Sequence, residues 1–430
     1  MVNGWGNSAV SLTAFILWLI AFPMEGFLLN ASEQSVLLYF LVPHTAGLFS
    51  IARFMPPEVF DRISRVGIIA TAILTAAMPF ATLQYSRILL ILIGAGSALL
   101  TVRATVLLKP SRRPAASAGI GIAAGNALVY VLNKTPIPAT FKFLIIAAGI
   151  LVVAWFTLGP PEDRNAPHGS LKAPFIYIFY LTGGLMYAAI APHYFTVAWS
   201  QGAELAFYVL TALACIRLLE KNMDALFCVG VAGCMLSFAF YHLTGAAFIN
   251  LSMFAIQTAF ALIDLYLLGL LVGSARPVRA FGYGMGACCL AIICGKLVGD
   301  YTARSAAWVL AASNIMLTGA VLMFYFEPRN RLTALEPKAA LQPTAKLIDA
   351  LGSHQKWFEK RLSAQELAVV QQVLQYKTFK QTALELGISE SSVKTYMKRA
   401  YEKTGVTSKE GLIALISGVG KSEPKVSGAR

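Results

Sequence analysis

Residues 380–406 read KQTALELGISESSVKTYMKRAYEKTGV, and this stretch carries the strongest local pattern in the chain. Gly387 separates two segments with apolar residues at helical spacing. Ser389 follows it, and serine often begins a helix by accepting a backbone hydrogen bond. Apolar residues then recur with the period of a helix until Gly405. The stretch predicts a helix, a tight turn and a second helix that ends near Lys403.

The flanking sequence extends this pattern to four short helices. Ser363 followed by Glu366 is the signature of a capping box, which opens the first helix. We expect Thr378 to begin the second helix and Ser408 to begin the fourth. The predicted core positions are Leu367, Val370, Val373, Leu374, Ala383, Leu384, Leu386, Val393, Met397, Tyr401, Leu412, Ile413 and Leu415.

The helix after Ser389 has a polar and basic outward face. In a helix-turn-helix unit the second helix enters the major groove, where donors reach base edges and cations contact phosphates. The pattern therefore predicts binding of double-stranded DNA, and the alternative is a solvated basic helix without a role in DNA binding. The outward residues are Glu390, Ser391, Lys394, Thr395, Lys398 and Arg399.

At these positions the sequence resembles the LuxR-type DNA-binding domain, a four-helix module at the C-terminus of many bacterial regulators. The matching elements are LSAQE at 362–366, the core at 380–406 and TSKEGL at 407–412. Two departures affect the expected affinity more than the fold. Tyr396 occupies a place more often held by His, and Ala364 with the following Gln replaces the usual Pro-Arg.

The resemblance also implies roles for individual side chains. Lys394, Thr395 and Lys398 correspond to positions that read bases, while Lys380 and Ser391 correspond to positions near phosphate. Since one such module buries little surface on DNA, we expect the chain to bind DNA as a homodimer.

The rest of the chain has the composition of a membrane protein. Of 430 residues, 57% are apolar and 13% charged, and the mean hydropathy is +0.65. Twelve apolar runs of about bilayer length lie between residues 9 and 326, and the Pro-rich stretch 160–174 separates six from six. We predict an all-α protein with a polytopic helical membrane domain of about twelve spans in two six-helix halves, plus a small four-helix helix-turn-helix domain.

Charge is concentrated at the C-terminal end. Residues 329–430 contain 17 Lys and Arg against 9 Asp and Glu, out of 35 and 21 in the whole chain. This predicts a membrane domain over 1–328, a linker over 329–361, a DNA-binding domain over 362–418 and a tail over 419–430.

Basic residues between the spans predict the orientation, because basic loops resist translocation. One set of alternate loops holds twelve Lys and Arg, and the other holds four. The chain should therefore be a multi-pass protein of the bacterial inner membrane with both termini in the cytoplasm. The first set contains Arg53, Arg62, Arg65, Lys109, Arg112, Arg113, Arg164, Lys172, Arg217, Lys221, Arg276 and Arg279; the second contains Arg87, Lys134, Lys142 and Arg304.

The predicted architecture resembles the major facilitator superfamily. Between spans two and three, RFMPPEVFDRISRVG at 53–67 partly matches that family's loop motif, in which charged groups latch the cytoplasmic helix ends. Asp61, Arg62 and Arg65 fit the motif, whereas Pro57 and Ser64 stand at its two glycine places. An ordinary basic cytoplasmic loop is the alternative interpretation.

Ionisable side chains inside spans are expensive and are therefore functional candidates. Glu25, Arg103, His193 and Asp264 lie on spans one, four, seven and ten, which line the central cavity in the family that the body resembles. We expect a polar cavity for a small-molecule ligand there. The alternative is a set of buried structural pairs that lock helices together.

No sequence pattern indicates an ATP site, a nucleophile with its base or a metal site, so we predict neither an enzyme nor a cofactor. All six cysteines fall in apolar runs, where packing explains them.

Three hypotheses about function stay open. The chain is a membrane-integrated one-component transcriptional regulator that senses a small molecule, a secondary transporter with an appended DNA-binding regulatory domain, or a DNA-binding domain that the body merely anchors and dimerises.

Overall fold

The computed structural model describes residues 5–24, 27–29, 36–158, 174–200, 202–243, 245–302, 306–326, 357–358, 360–374, 379–406 and 412. The chain separates into two compact units, Met1–Leu335 and Glu336–Arg430.

Helices make up the described part of the first unit. In the first half they are α1 (Trp5–Ala21), α2 (Val36–Phe54), α3 (Pro57–Ala77) with a 3-10 turn at Met78–Phe80, α4 (Leu83–Val106), α5 (Pro114–Lys134) and α6 (Ala139–Trp155). In the second half they are α7 (Pro174–Val197), α8 (Ala203–Ala214), α9 (Ile216–Lys221), α10 (Met223–Tyr241), α11 (Ala246–Val272), α12 (Pro277–Thr302) and α13 (Ala306–Phe326).

The predicted fold class, with two six-helix halves, is confirmed. Only Cys215 separates α8 from α9, so these two helices follow one span of the sequence. Helices pack mainly within their own half, and the halves meet where α2 packs on α12 and α5 on α8.

Helix length varies across the bundle. Among the described residues, six helices are long and apolar enough to cross a membrane, and α7 makes a seventh if its two arms, bent by 45°, count as one span. Others are shorter, such as α6 with 17 residues, which at 1.5 Å per residue reaches about 25 Å.

Glycines allow the helices to approach closely. A Cβ added at Gly125 on α5 would lie 2.6 Å from the Cβ of Ile16 on α1, and one at Gly282 on α12 would lie 2.8 Å from the Cβ of Ala52 on α2. Such separations are too short for two carbon atoms. Small residues are therefore required at contacts both within and between the halves.

The second unit contains three described helices, α14 (Ala364–Leu374), α15 (Phe379–Leu386) and α16 (Glu390–Thr404). Their buried apolar side chains form one small core. Leu412 also lies in that core, whereas the predicted helix starts at Thr378 and Ser408 and the core positions Ile413 and Leu415 fall outside the described residues.

Two predicted features of this core are corrected. Leu384 is 76% exposed, because α15 turns Ala383 toward the core and carries Leu384 to the opposite side. The folded domain also begins earlier than residue 362, since Phe358 is 1% exposed within the core and the Trp357 ring packs against it.

Candidate functional site

A capping box fixes the start of α14. The backbone N–H of Ser363 donates to Glu366 Oε2 at 2.8 Å, and the N–H of Glu366 donates to Ser363 Oγ at 3.3 Å. Two backbone donors that a helix start leaves without partners are thereby satisfied. The local sequence pattern predicted this arrangement.

The turn between α15 and α16 depends on one glycine. Gly387 has φ +64°, in the left-handed region that favours glycine, and the N–H of Ile388 bonds the Ala383 carbonyl at 3.0 Å. Ser389 then caps α16 by accepting the N–H of Ser392 at 3.1 Å. The turn therefore sets the angle at which α16 leaves α15.

Burial of one side of α16 leaves its other side exposed. Val393, Met397 and Ala400 are each at most 1% exposed. The opposite face exposes all six residues predicted to face DNA, which are Glu390, Ser391, Lys394, Thr395, Lys398 and Arg399. The side chain of Lys380 lies outside the part of the chain that the structure describes.

Two charged groups on the exposed face already contact each other. Lys394 Nζ lies 2.9 Å from Glu390 Oε1, one helical turn away. Exposed pairs of this kind contribute about 0.3–0.5 kcal/mol, so phosphates or bases compete easily for the lysine.

An ion pair fixes the far end of α16. Lys403 Nζ donates to Glu366 Oε1 at 2.9 Å and to Oε2 at 2.6 Å, which joins the last turn of α16 to the first turn of α14. Burial by itself raises the pKa of the Glu366 carboxyl, but hydrogen bonds from Lys403 and Ser363 outweigh it and hold that pKa below its ordinary value. The exposed face of α16 is thus held at both ends.

In the membrane unit, Arg103 on α4 is fully buried and hydrogen-bonded. Its guanidinium donates to Ser64 Oγ at 2.8 Å, to the Val153 carbonyl at 3.0 Å and to the Phe156 carbonyl at 2.6 Å, and it pairs with Asp61 Oδ1 at 2.9 Å. Arg103 therefore links α3, α4 and the end of α6. This placement agrees with the alternative of a structural pair, in which Arg103 is buried and Asp61 is 45% exposed.

Asp61 also contacts a second arginine. Arg65 Nε lies 3.1 Å from Asp61 Oδ2, and this pair is about one-third to one-half exposed. The loop motif between spans two and three thus places its acidic residue between an exposed and a buried cation.

Asp264 on α11 has a different environment. The hydroxyls of Tyr180 on α7 and Tyr208 on α8 donate to its two carboxylate oxygens. Both tyrosines are at most 8% exposed. Three helices of the second half therefore meet at one carboxylate.

The remaining cavity candidates do not join this group. His193 Nδ1 lies 3.1 Å from the Ala189 carbonyl and 3.3 Å from the Tyr241 hydroxyl, and the imidazole is exposed. Glu25 falls outside the described residues. The structure thus places Arg103, His193 and Asp264 in three separate surroundings.

Two features of these sites were not predicted. Lys403 was expected to lie near the end of α16, and no local pattern paired it with Glu366, 37 residues earlier. Tyr180 and Tyr208 lie in apolar runs 84 and 56 residues before Asp264, and no local pattern marks them.

Residues 360–416 match the GerE domain, described as bacterial regulatory proteins of the luxR family. The C-terminal domain is of the LuxR type. Its described helices and the exposed face of α16 occupy this matched range. No curated protein sequence matches the chain.

Solved structures similar to the chain include two symporters. The proton:xylose symporter XylE, bound to 6-bromo-6-deoxy-D-glucose, has a TM-score of 0.55 at 13% identity, over 75% of this chain and 95% of that one. A point variant of the E. coli fucose:proton symporter FucP has a TM-score of 0.47 at 16% identity, over 74% of this chain and 97% of that one. A structure of FucP in the outward conformation has a TM-score of 0.46 at 14% identity, with the same coverages. The likeness to XylE shows that the membrane unit has the major facilitator fold.

Proposed function

We propose that the protein is a membrane-integrated one-component transcriptional regulator whose LuxR-type domain binds DNA and whose body senses a small molecule. One observation carries the proposal. A LuxR-type domain with an exposed basic helix face and a body with the major facilitator fold belong to the same chain. Nothing in the sequence resembles a receiver domain, so the proposed signal reaches the body directly.

The proposed DNA contacts lie on and next to α16. Lys394, Thr395 and Lys398 reach base edges in the major groove, and Ser391 and Arg399 contact phosphate. Lys380 is proposed as a further phosphate contact from α15. A second copy of the chain supplies the other half of the DNA-binding unit.

The proposed location is the inner membrane of a bacterium with both termini in the cytoplasm. The excess of basic residues in one set of loops supports this orientation. Only this orientation allows the C-terminal domain to contact the chromosome.

The sensing role is proposed from the charge inside the body. A bundle that only anchors a domain gains nothing from a carboxylate such as Asp264 within its spans, where burial of the charge is expensive. A ligand shifts the body between two states by the difference in its affinity for them. We propose that the linker after Phe326 transmits this shift to the paired DNA-binding domains.

A chimera tests sensing against anchoring. Residues 1–328 are replaced by an unrelated dimeric membrane anchor, and reporter output from the chain's own target promoters is followed across growth conditions. Sensing by the body predicts that DNA occupancy remains while the response to conditions is lost. A chimera with the full, condition-dependent response would contradict the sensing role.

A secondary transporter is the second candidate, because the body shares its fold with XylE, a proton:xylose symporter. In that case residues 362–430 regulate expression only. Deleting them would leave uptake of the transported compound intact per molecule of protein. Under the first proposal the same deletion abolishes the output of the protein.

A further inference from the structure

The carboxylate of Asp264 has two hydrogen-bond donors and no described cation. Tyr180 and Tyr208 supply the donors. No lysine, arginine or histidine in the described part of the chain pairs with Asp264. An ionised carboxylate without a counter-charge is costly at membrane depth, so the site favours a positive charge from outside the chain.

One face of α11 that includes Asp264 is incompletely buried. Asp264 is partly exposed, whereas the adjacent Ile263 and Leu265 are fully buried. Phe260 and Gln257, one and two turns earlier, are also partly exposed. This face therefore offers a surface on which a small molecule approaches Asp264.

Aromatic rings lie next to the carboxylate. The Phe260 ring centroid is 6.3 Å from that of Tyr180 and 5.6 Å from that of Phe179. Aromatic faces attract cations, most strongly where water is excluded. A proton would need neither an accessible face nor aromatic rings, whereas an organic cation uses both.

We infer that Asp264, Tyr180, Tyr208 and Phe260 form a binding site for the ammonium group of a small organic amine. Each carboxylate oxygen that accepts a tyrosine hydroxyl keeps a lone pair for an ammonium N–H. The alkyl or aryl part of the amine then lies along Phe260. This inference rests on the proposed sensing function and names the chemical class of its ligand.

Thermal unfolding of the full-length protein in detergent tests the site. The probes are n-butylammonium, butan-1-ol and butanoate at equal ionic strength. We expect n-butylammonium alone to raise the unfolding temperature in a saturable way. Asp264→Asn should weaken the apparent affinity about ten- to hundredfold, because it removes a charge-assisted contact.

Glu204 supplies a matched control. It also accepts a tyrosine hydroxyl, from Tyr194 at 2.6 Å, at the start of α8. Glu204→Gln should leave the butylammonium response unchanged. If Asp264→Asn does not fold, Phe260→Leu decides, because it keeps the carboxylate and should weaken butylammonium binding about threefold or more through loss of the ring face.

The outcomes separate this inference from the proposed function. No stabilisation by butylammonium, equal stabilisation by butan-1-ol, or an unchanged response in both Asp264→Asn and Phe260→Leu overturns the amine site. Loss of butylammonium binding in Asp264→Asn with normal regulated transcription supports the site and contradicts sensing through it.

Discussion

The C-terminal domain and the membrane body each surround an acidic side chain with hydrogen-bond donors, but they compensate its charge differently. Glu366 in the domain accepts two hydrogen bonds from Lys403, a cation of the same chain. Asp264 in the body accepts hydrogen bonds from two neutral tyrosines. A carboxylate with an internal cation stabilises structure, whereas one without it is available to an external partner.

Substitution of Arg103 should have the largest effect on stability. Arg103 adds to the comparison a charge inside the body that does have a partner of the opposite sign. Arg103→Met leaves Ser64 Oγ and the Val153 and Phe156 carbonyls without their buried donor and should destabilise the body by about 3 kcal/mol or more. Arg65→Met removes the exposed partner of the carboxylate that pairs with Arg103 and should cost about 1 kcal/mol or less. Thermal unfolding of both variants in detergent measures the difference, and equal losses would contradict a structural role for Arg103.

The ion pair in the domain should show the next largest effect. Lys403→Met leaves the buried Glu366 carboxylate with fewer donors and should destabilise the domain by about 1–3 kcal/mol. Hydrogen exchange of α14 and α16 in the full-length protein reports this change. Glu390→Gln, which breaks the exposed pair on α16, is the control and should change protection little.

The same pair predicts a pH dependence. Because the pKa of Glu366 is lower in the folded domain than in the unfolded chain, its stabilising contribution is complete above the unfolded-state pKa. It is lost as the pH falls through the lowered pKa. Acidification should therefore reduce the stability of the domain less in Glu366→Gln than in the wild type, and equal slopes would refute the pair's contribution.

The exposed face of α16 should control DNA specificity and leave stability unchanged. Lys394→Ala, Thr395→Ala and Lys398→Ala should each reduce discrimination between operator and random DNA by about 1–3 kcal/mol. Lys380→Ala should weaken binding to all sequences alike. Titrations of full-length protein with both DNAs at several salt concentrations measure the two effects, and uniform losses in all four variants would exclude base reading by α16.

Asp264→Asn should have a small effect on stability. The substitution keeps the shape of the side chain and removes a charge that has no described internal cation, but its amide nitrogen cannot accept a tyrosine hydroxyl, so we expect a loss of about 1 kcal/mol. Regulated transcription should change nonetheless. A loss of stability as large as that of Arg103→Met would show that Asp264 is a structural residue.

Local patterns in the sequence predicted local structure well. The capping box at Ser363, the tight turn at Gly387 and the exposed face of α16 follow from residues within a few positions of one another. Leu384 was misplaced because an eight-residue helix such as α15 is too short for apolar spacing to define its buried side.

The sequence did not predict contacts between residues far apart in the chain. Lys403 lies 37 residues from Glu366, and Arg103 lies 42 residues from Asp61. A charged residue within a span indicates that a partner or water must compensate it, but the partner depends on how helices pack. The sequence therefore identified Arg103 and Asp264 as unusual without separating a structural charge from a binding one.

The central claim is that this membrane protein regulates transcription by binding DNA with α16. A map of DNA occupancy in intact cells tests this claim most directly. The full-length wild type and a Lys394→Ala/Lys398→Ala variant are compared at equal abundance in the membrane. We predict discrete sites of occupancy that disappear in the variant. Absence of discrete sites in the wild type, or the same sites in the variant, would contradict the claim.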